Sequence, residues 1–171
     1  TGAIGFAGMF SVFAYLPPTL VHVTGAGEGF VPLALAAFGA GSIAGSLAGG
    51  WLFDRYGFGA AARMLLWSTA VLLAYPLAAQ SPWTVLLAIA LVGTMGALAP
   101  VLQSHLMDVA GDAQTLAAAS NHSAFNTANA LGPWLGGMAI TAGWGWTSTA
   151  WVGAATAVAG LLVYVLARRA A

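Results

Sequence analysis

The chain has no cysteine and no lysine, and its formal charge is confined to four arginines and four acidic residues among 171. Without cysteine there can be no disulfide scaffold, thiolate zinc site or cysteine nucleophile, although compartment is left open. Charged residues make up 5% of the sequence, against about 25% in an ordinary soluble domain. A soluble fold must cover its outside with polar side chains, and so few charges cannot do that. Net charge is zero and the arginines are dispersed apart from Arg168 and Arg169, so no footprint for nucleic acid exists and no such partner is expected. Nothing in the sequence calls for a metal ion or a cofactor.

What is present is apolar: 60% of residues are hydrophobic. A helix needs about 20 mainly apolar residues to cross the hydrocarbon core. The chain divides into six such stretches near 3–22, 31–53, 61–80, 82–107, 113–140 and 146–168, separated by short polar or Gly/Pro punctuation. The expected fold is an all-α polytopic membrane protein with six transmembrane helices, in contact with a lipid bilayer. The first residue is Thr1, with neither methionine nor a charged leader before the first apolar run. This reads as a chain cropped from something longer, its amino-terminal part missing.

Arg55 and Arg63 flank the second connection and Arg168 and Arg169 follow the sixth stretch. With alternate connections on opposite sides, all four arginines fall on one side, which the positive-inside rule makes cytoplasmic. The carboxyl terminus is then cytoplasmic. Trp83, Trp144 and Trp146 stand at the opposite ends, where amphipathic rings favour the headgroup layer.

On the second stretch Gly41, Gly45 and Gly49 recur every four residues, a stripe without bulk that lets another helix approach closely and reads either as a packing face within the chain or as a sliding contact between moving halves. Gly132 and Gly136 repeat the theme on the fifth, a hint of a three-plus-three internal repeat. Polar residues at membrane depth are the site candidates, because they tend to face protein or a water-filled cavity. Ser11, Tyr15, Thr19 and His22 share one face of the first helix, interrupted by Pro17 and Pro18, which free carbonyls and permit a hinge. Gly96, Pro100 and Gln103 share a face of the fourth. Both faces read either as walls of a substrate pathway or as ordinary kinks with interhelical hydrogen bonds. The fifth helix carries His122, Asn126 and Asn129 along one side, suited to interhelical bonding against an absent partner or to proton and substrate handling. No acidic residue is expected inside a helix, so His22, His105 and His122 are the titratable candidates here. Asp112 is expected to cap the fifth helix.

The stretch "GGWLFDRYG" at the end of the second helix holds Gly50, Leu52, Asp54, Arg55 and Gly57. It resembles the G-x-L-x-D-R-x-G signature of the major facilitator superfamily, with Phe58 and Gly59 where that family usually has basic residues. "LQSHLMDVAGDAQTLAAASNHSAFNTANALGPWLGG" is similar to the tenth and eleventh helices of the sugar- and drug-efflux, arabinose-efflux-permease-like branch. The resemblance implies a carboxyl-terminal half-bundle built as a three-plus-three inverted repeat, which works by alternating access with an amino-terminal half. It further implies that the first and fourth helices line a cavity, that the second and fifth face the other half through the glycine stripe, and that Asp54 helps to latch one state. Proton-coupled efflux of a small molecule across an inner membrane, without enzymatic chemistry, is the implied activity.

Two alternatives stand beside it. One is a half-size carrier or channel complete as a homodimer. The other is an intramembrane serine protease using Ser42 or Ser46 with His122, although no flanking motif brings nucleophile and base together.

Overall fold

The computed structural model describes residues 1–170, and among them every regular element is helical. The first span is α1 (Gly2–Gly5), α2 (Ala7–Ala14) and α3 (Leu16–Thr19), closed by a π turn, Leu20–Thr24. A 3-10 turn, Glu28–Phe30, leads into α4 (Val31–Tyr56), the second span, and α5 (Gly59–Ala78) is the third. The fourth comprises α6 (Pro82–Thr94), a 3-10 turn (Met95–Ala97) and α7 (Leu98–Val109). The fifth is α8 (Gln114–Ala139), ending in a π turn, Ile140–Trp144, and the sixth is α9 (Ser148–Ala170).

Proline chemistry shapes the irregular spans. Pro17 and Pro18 cannot donate to the carbonyls of Phe13 and Ala14 one turn back, and the first span bends by 53° between Gly2–Ala14 and Leu16–Thr24. Pro100 likewise cannot donate to Gly96, and the chain tightens there into the Met95–Ala97 turn. At the end of α4, Gly57 takes φ +53° and its amide donates to the Phe53 carbonyl at 2.7 Å. That backbone conformation disfavours any residue with a Cβ, which is a physical reason for the final glycine of the signature.

Four helical stretches are long and apolar enough to cross a membrane unaided, and the bent first span makes a fifth. The stretch expected near 113–140 is not among these. α8 has the length, 26 residues, or about 39 Å, but Asn121, His122, Asn126 and Asn129 keep its apolarity too low. Two smaller expectations also change. Asp112 does not cap α8: Ala113 occupies the cap position without a side-chain bond, and the Gln114 amide donates to the carbonyls of Met107 and Gly111, both at 2.9 Å. α4 continues to Tyr56, so Asp54 belongs to its last turn rather than following it.

The pairing of spans follows a rule. Three pairings are the first span with the fifth, the second with the fourth, and the third with the sixth, and the first also packs closely on the sixth. Exchanging the first three spans for the last three turns the first pairing into the second and leaves the third unchanged, which is the contact pattern of an internal three-plus-three repeat. Leu65, Leu72 and Tyr75 of α5, Ile89 of α6 and Leu98 of α7 are fully buried and form the centre of the core.

The glycine stripe makes the second pairing possible. A Cβ on Gly41 would overlap the Ala90 carbonyl; one on Gly45 would lie 2.5 Å from the Thr94 oxygen, and one on Gly49 the same distance from that of Ala97. Gly132 of α8 presses in the same way on the Ala7 carbonyl of α2. The stripe is therefore filled by the fourth span of this chain, a packing face within the chain, and not the surface toward another half that the resemblance implied. The part of α4 left exposed is its bulky face, with Ile43, Leu47 and Trp51.

Candidate functional site

The polar edge of the first span is largely closed off. Ser11 is fully buried, and its hydroxyl donates to the Thr149 carbonyl at 3.0 Å. Tyr15 reaches across to donate to the Pro133 carbonyl at 3.0 Å. Thr19, also buried, returns its hydroxyl to the Tyr15 carbonyl at 2.7 Å. His22 alone on this edge is exposed, stacked on Trp146 with ring centres 5.5 Å apart. In this conformation Ser11 and Thr19 are out of a solute's reach, which corrects their reading as pathway wall. At Ser11 the cause is tertiary: α8 and α9 close over it through Gly136 and Thr149.

An open groove lies instead between the first, fourth and fifth spans. Its volume is about 450 Å³, and Phe6, Phe10, Pro100, Gln103, His122 and Phe125 line it together with Asn121. Pro100 and Gln103, singled out from the sequence, are thus placed on it, and His122 joins them from α8. Three phenylalanines missed by sequence reasoning form its apolar part. Phe6 meets Phe125 edge-on at 4.5 Å and Phe10 at 5.5 Å. The available signal was the spacing of Phe6, Phe10 and Phe13 at i, i+4 and i+7, which on a membrane helix reads equally as a lipid-facing stripe.

Beside the phenylalanines, the Asn121 side-chain amide donates to the Gln103 carbonyl oxygen at 2.6 Å. Asn121 is 4% exposed and also borders a second cavity, of about 650 Å³, toward the arginine-bearing end, where His105, Ser120 and Arg168 contribute polar groups. Phe58 lies against the His105 ring at 3.8 Å and the Tyr164 ring at 4.8 Å. An aromatic packing residue thus occupies a position where the resembled family usually carries a charge.

His122, Asn126 and Asn129 are exposed along one side of α8, while Asn121, Ala128, Gly132 and Gly136 on the other are buried against the bundle. Bare amide and imidazole groups are incompatible with lipid contact, so this side requires protein or water over it. At the arginine-bearing end Asp54 and Arg55 are exposed in the last turn of α4. Arg55 lies 5.8 Å from the Trp51 ring centre, and Arg63 stands 3.8 Å over Tyr56. Gly50 and Leu52 are half-buried, with Leu52 packed on the core. Ser42 sits in the contact with Gly93 and Gly96, whereas His122 faces the groove, so the structure does not join them as nucleophile and base.

Residues 1–171 match the family model described as Major Facilitator Superfamily. The inner membrane transport protein YdhP of Escherichia coli K12 is 35% identical over 171 residues, covering 99% of this chain and 44% of the relative. The uncharacterized MFS-type transporter YtbD of Bacillus subtilis is 33% identical over 94% of this chain and 42% of its own length. A chloramphenicol resistance protein of Streptomyces lividans is 31% identical over 77% of this chain and 34% of its own length. The chain thus spans less than half the length of these relatives. No solved structure matches it.

Proposed function

The chain belongs to the Major Facilitator Superfamily, and from this we infer that it forms the carboxyl-terminal half of a secondary transporter. Its partners are an amino-terminal half of similar size, a small solute, protons and the bilayer. The observation that carries this reading is the groove of the first, fourth and fifth spans, flanked by the bare polar side of α8. Such a surface in a membrane bundle suits a water-filled, solute-accessible cavity between two halves. Alternating access follows if the two halves rock about that cavity. Asp54, exposed at the end of α4, serves as a latch by accepting hydrogen bonds from the opposite half in one state. His122, which lines the groove, is the residue assigned to handle the coupled protons. The arginine-bearing end is assigned to the cytoplasm of a cell whose inner membrane holds the protein, and transport is assigned outward.

The test uses the full-length protein in everted vesicles acidified inside by respiration, with a pH-sensitive dye. Candidate solutes are added in turn, including chloramphenicol, for which one relative is named. Proton-coupled export predicts that at least one solute raises internal pH only in vesicles carrying the protein, with a saturable dependence on concentration. Solute flux without saturation would instead identify a channel and overturn this reading.

A further inference from the structure

We propose that the groove between the first, fourth and fifth spans selects an uncharged solute bearing an aromatic ring next to an amide-like group. This deepens the transport reading and rests on it only in identifying the groove as the substrate site.

Three features of the groove converge on that chemistry. The first is the phenylalanine cluster. Phe6 is buried at its base with Phe10 and Phe125 partly open above it, and both contacts are edge-on, with interplanar angles of 69° and 81°. An open cluster of edge-to-face rings is extended favourably by one more ring, because the positive edge of one meets the negative face of the next. The second is the amide pair. The bond at 2.6 Å uses one N–H of Asn121 and the carbonyl of Gln103, which leaves N–H donors on Gln103 and the carbonyl acceptor of Asn121 for a ligand. A secondary amide offers the matching acceptor and donor. Asn121 is nearly buried and borders both this groove and the second cavity, so a ligand that satisfies its carbonyl offsets the cost of burying it.

The third feature is what the groove's wall omits. Among the described residues no arginine or carboxylate lines it, so a permanent cation finds no counter-ion on this wall and bears the cost of desolvation, and a permanent anion meets only the His122 imidazole. A hexose fits no better. Its several hydroxyls would meet Phe6, Phe10, Pro100 and Phe125, with only Gln103, Asn121 and His122 to bond them, and each unpaired hydroxyl loses its water without compensation.

The experiment uses full-length protein in lipid nanodiscs and benzanilide, two phenyl rings joined by one neutral amide, with empty nanodiscs as the partition control. Saturable binding of tritiated benzanilide is expected, with trans-stilbene, the same shape without the amide, at least about tenfold weaker as a competitor. Phe10→Ala and Gln103→Met should each weaken benzanilide about tenfold, a difference of about 1.4 kcal/mol. Both residues are partly open in the groove, and an unchanged unfolding midpoint checks that each variant is folded. If either fails that check, Phe125→Leu and Asn121→Leu replace them. Absence of saturable binding, equal competition by stilbene, or indifference to folded groove variants would overturn the proposal. The two readings separate cleanly. Benzanilide bound through the groove but never moved across a membrane defeats transport alone, and transport of another solute that benzanilide does not inhibit defeats the substrate class alone.

Discussion

Ser11 and Gln103 are both polar residues on membrane helices, and the fold treats them in opposite ways. Ser11 disappears into the contact between spans, bonded to Thr149, while Gln103 stays open to the groove. Single cysteines in a cysteine-free full-length background report this directly. Gln103→Cys should react with a permeant methanethiosulfonate reagent and Ser11→Cys should remain unlabelled in folded protein; the reverse pattern would refute the described burial. Tyr75 gives a stability prediction. Its hydroxyl is buried without a hydrogen-bond partner among the described residues, so Tyr75→Phe removes an unsatisfied group and should raise stability by roughly 1–3 kcal/mol, read as a later midpoint in detergent unfolding. At this scale the sequence was half legible. Helical periodicity correctly groups Ser11, Tyr15 and Thr19 on one face, but what covers a face is decided by residues more than a hundred positions away, such as Pro133 and Thr149. The phenylalanine cluster was illegible for a related reason: in lipid, an apolar side chain is acceptable facing outward or inward.

At the scale of elements, glycine and proline carry most of the information. The bend of the first span falls at Tyr15, immediately before Pro17 and Pro18, and proline chemistry alone predicts an interruption there. Its angle of 53° is beyond sequence reasoning, because it depends on how the π turn Leu20–Thr24 is held, including the bond from the Thr24 hydroxyl to the Ala79 carbonyl. The small stripe on α4 was legible as a place of close approach, though not as to which helix approaches. Its weight can be measured. Gly41→Leu places a side chain into the Ala90 backbone, and overpacking of this kind costs about 1–3 kcal/mol or more. Ala40→Leu, one position away on the exposed side, should be nearly neutral. Equal effects of the two on the unfolding midpoint would contradict the stripe's role. α8 is the element whose character the sequence showed best, since its asparagines and histidine mark a helix that needs covering.

For the whole molecule, the arginine-bearing end gathers the ends of α4 and α9 and the start of α5, with Phe58 touching His105 and Tyr164 there. Any movement that opens this end must carry Asp54 with it, since α4 is continuous from Val31 to Tyr56. Asp54→Asn in the full-length protein should therefore reduce solute flux by at least about tenfold, if the latch is worth 1.4 kcal/mol or more, while leaving the amount of folded protein in the membrane unchanged. Wild-type flux in that variant would remove the latch from the mechanism. Charge placement made the common end of the arginines readable from the sequence. The pairing of spans was not readable, beyond the glycines shared by the second and fifth, because helix partners in lipid are chosen by shape rather than by pattern.

The glycine contacts carry one more consequence, which is entropic. Where Gly41, Gly45 and Gly49 meet Ala90, Thr94 and Ala97, much of the joint is backbone on backbone, with no long side chains to freeze when the surfaces come together. The joint is correspondingly unforgiving: there are few rotamers by which it could yield to a shift of one residue. The second and fourth spans are thus engaged in register or apart, and motion in the bundle must be borne by the bent first span and the turns.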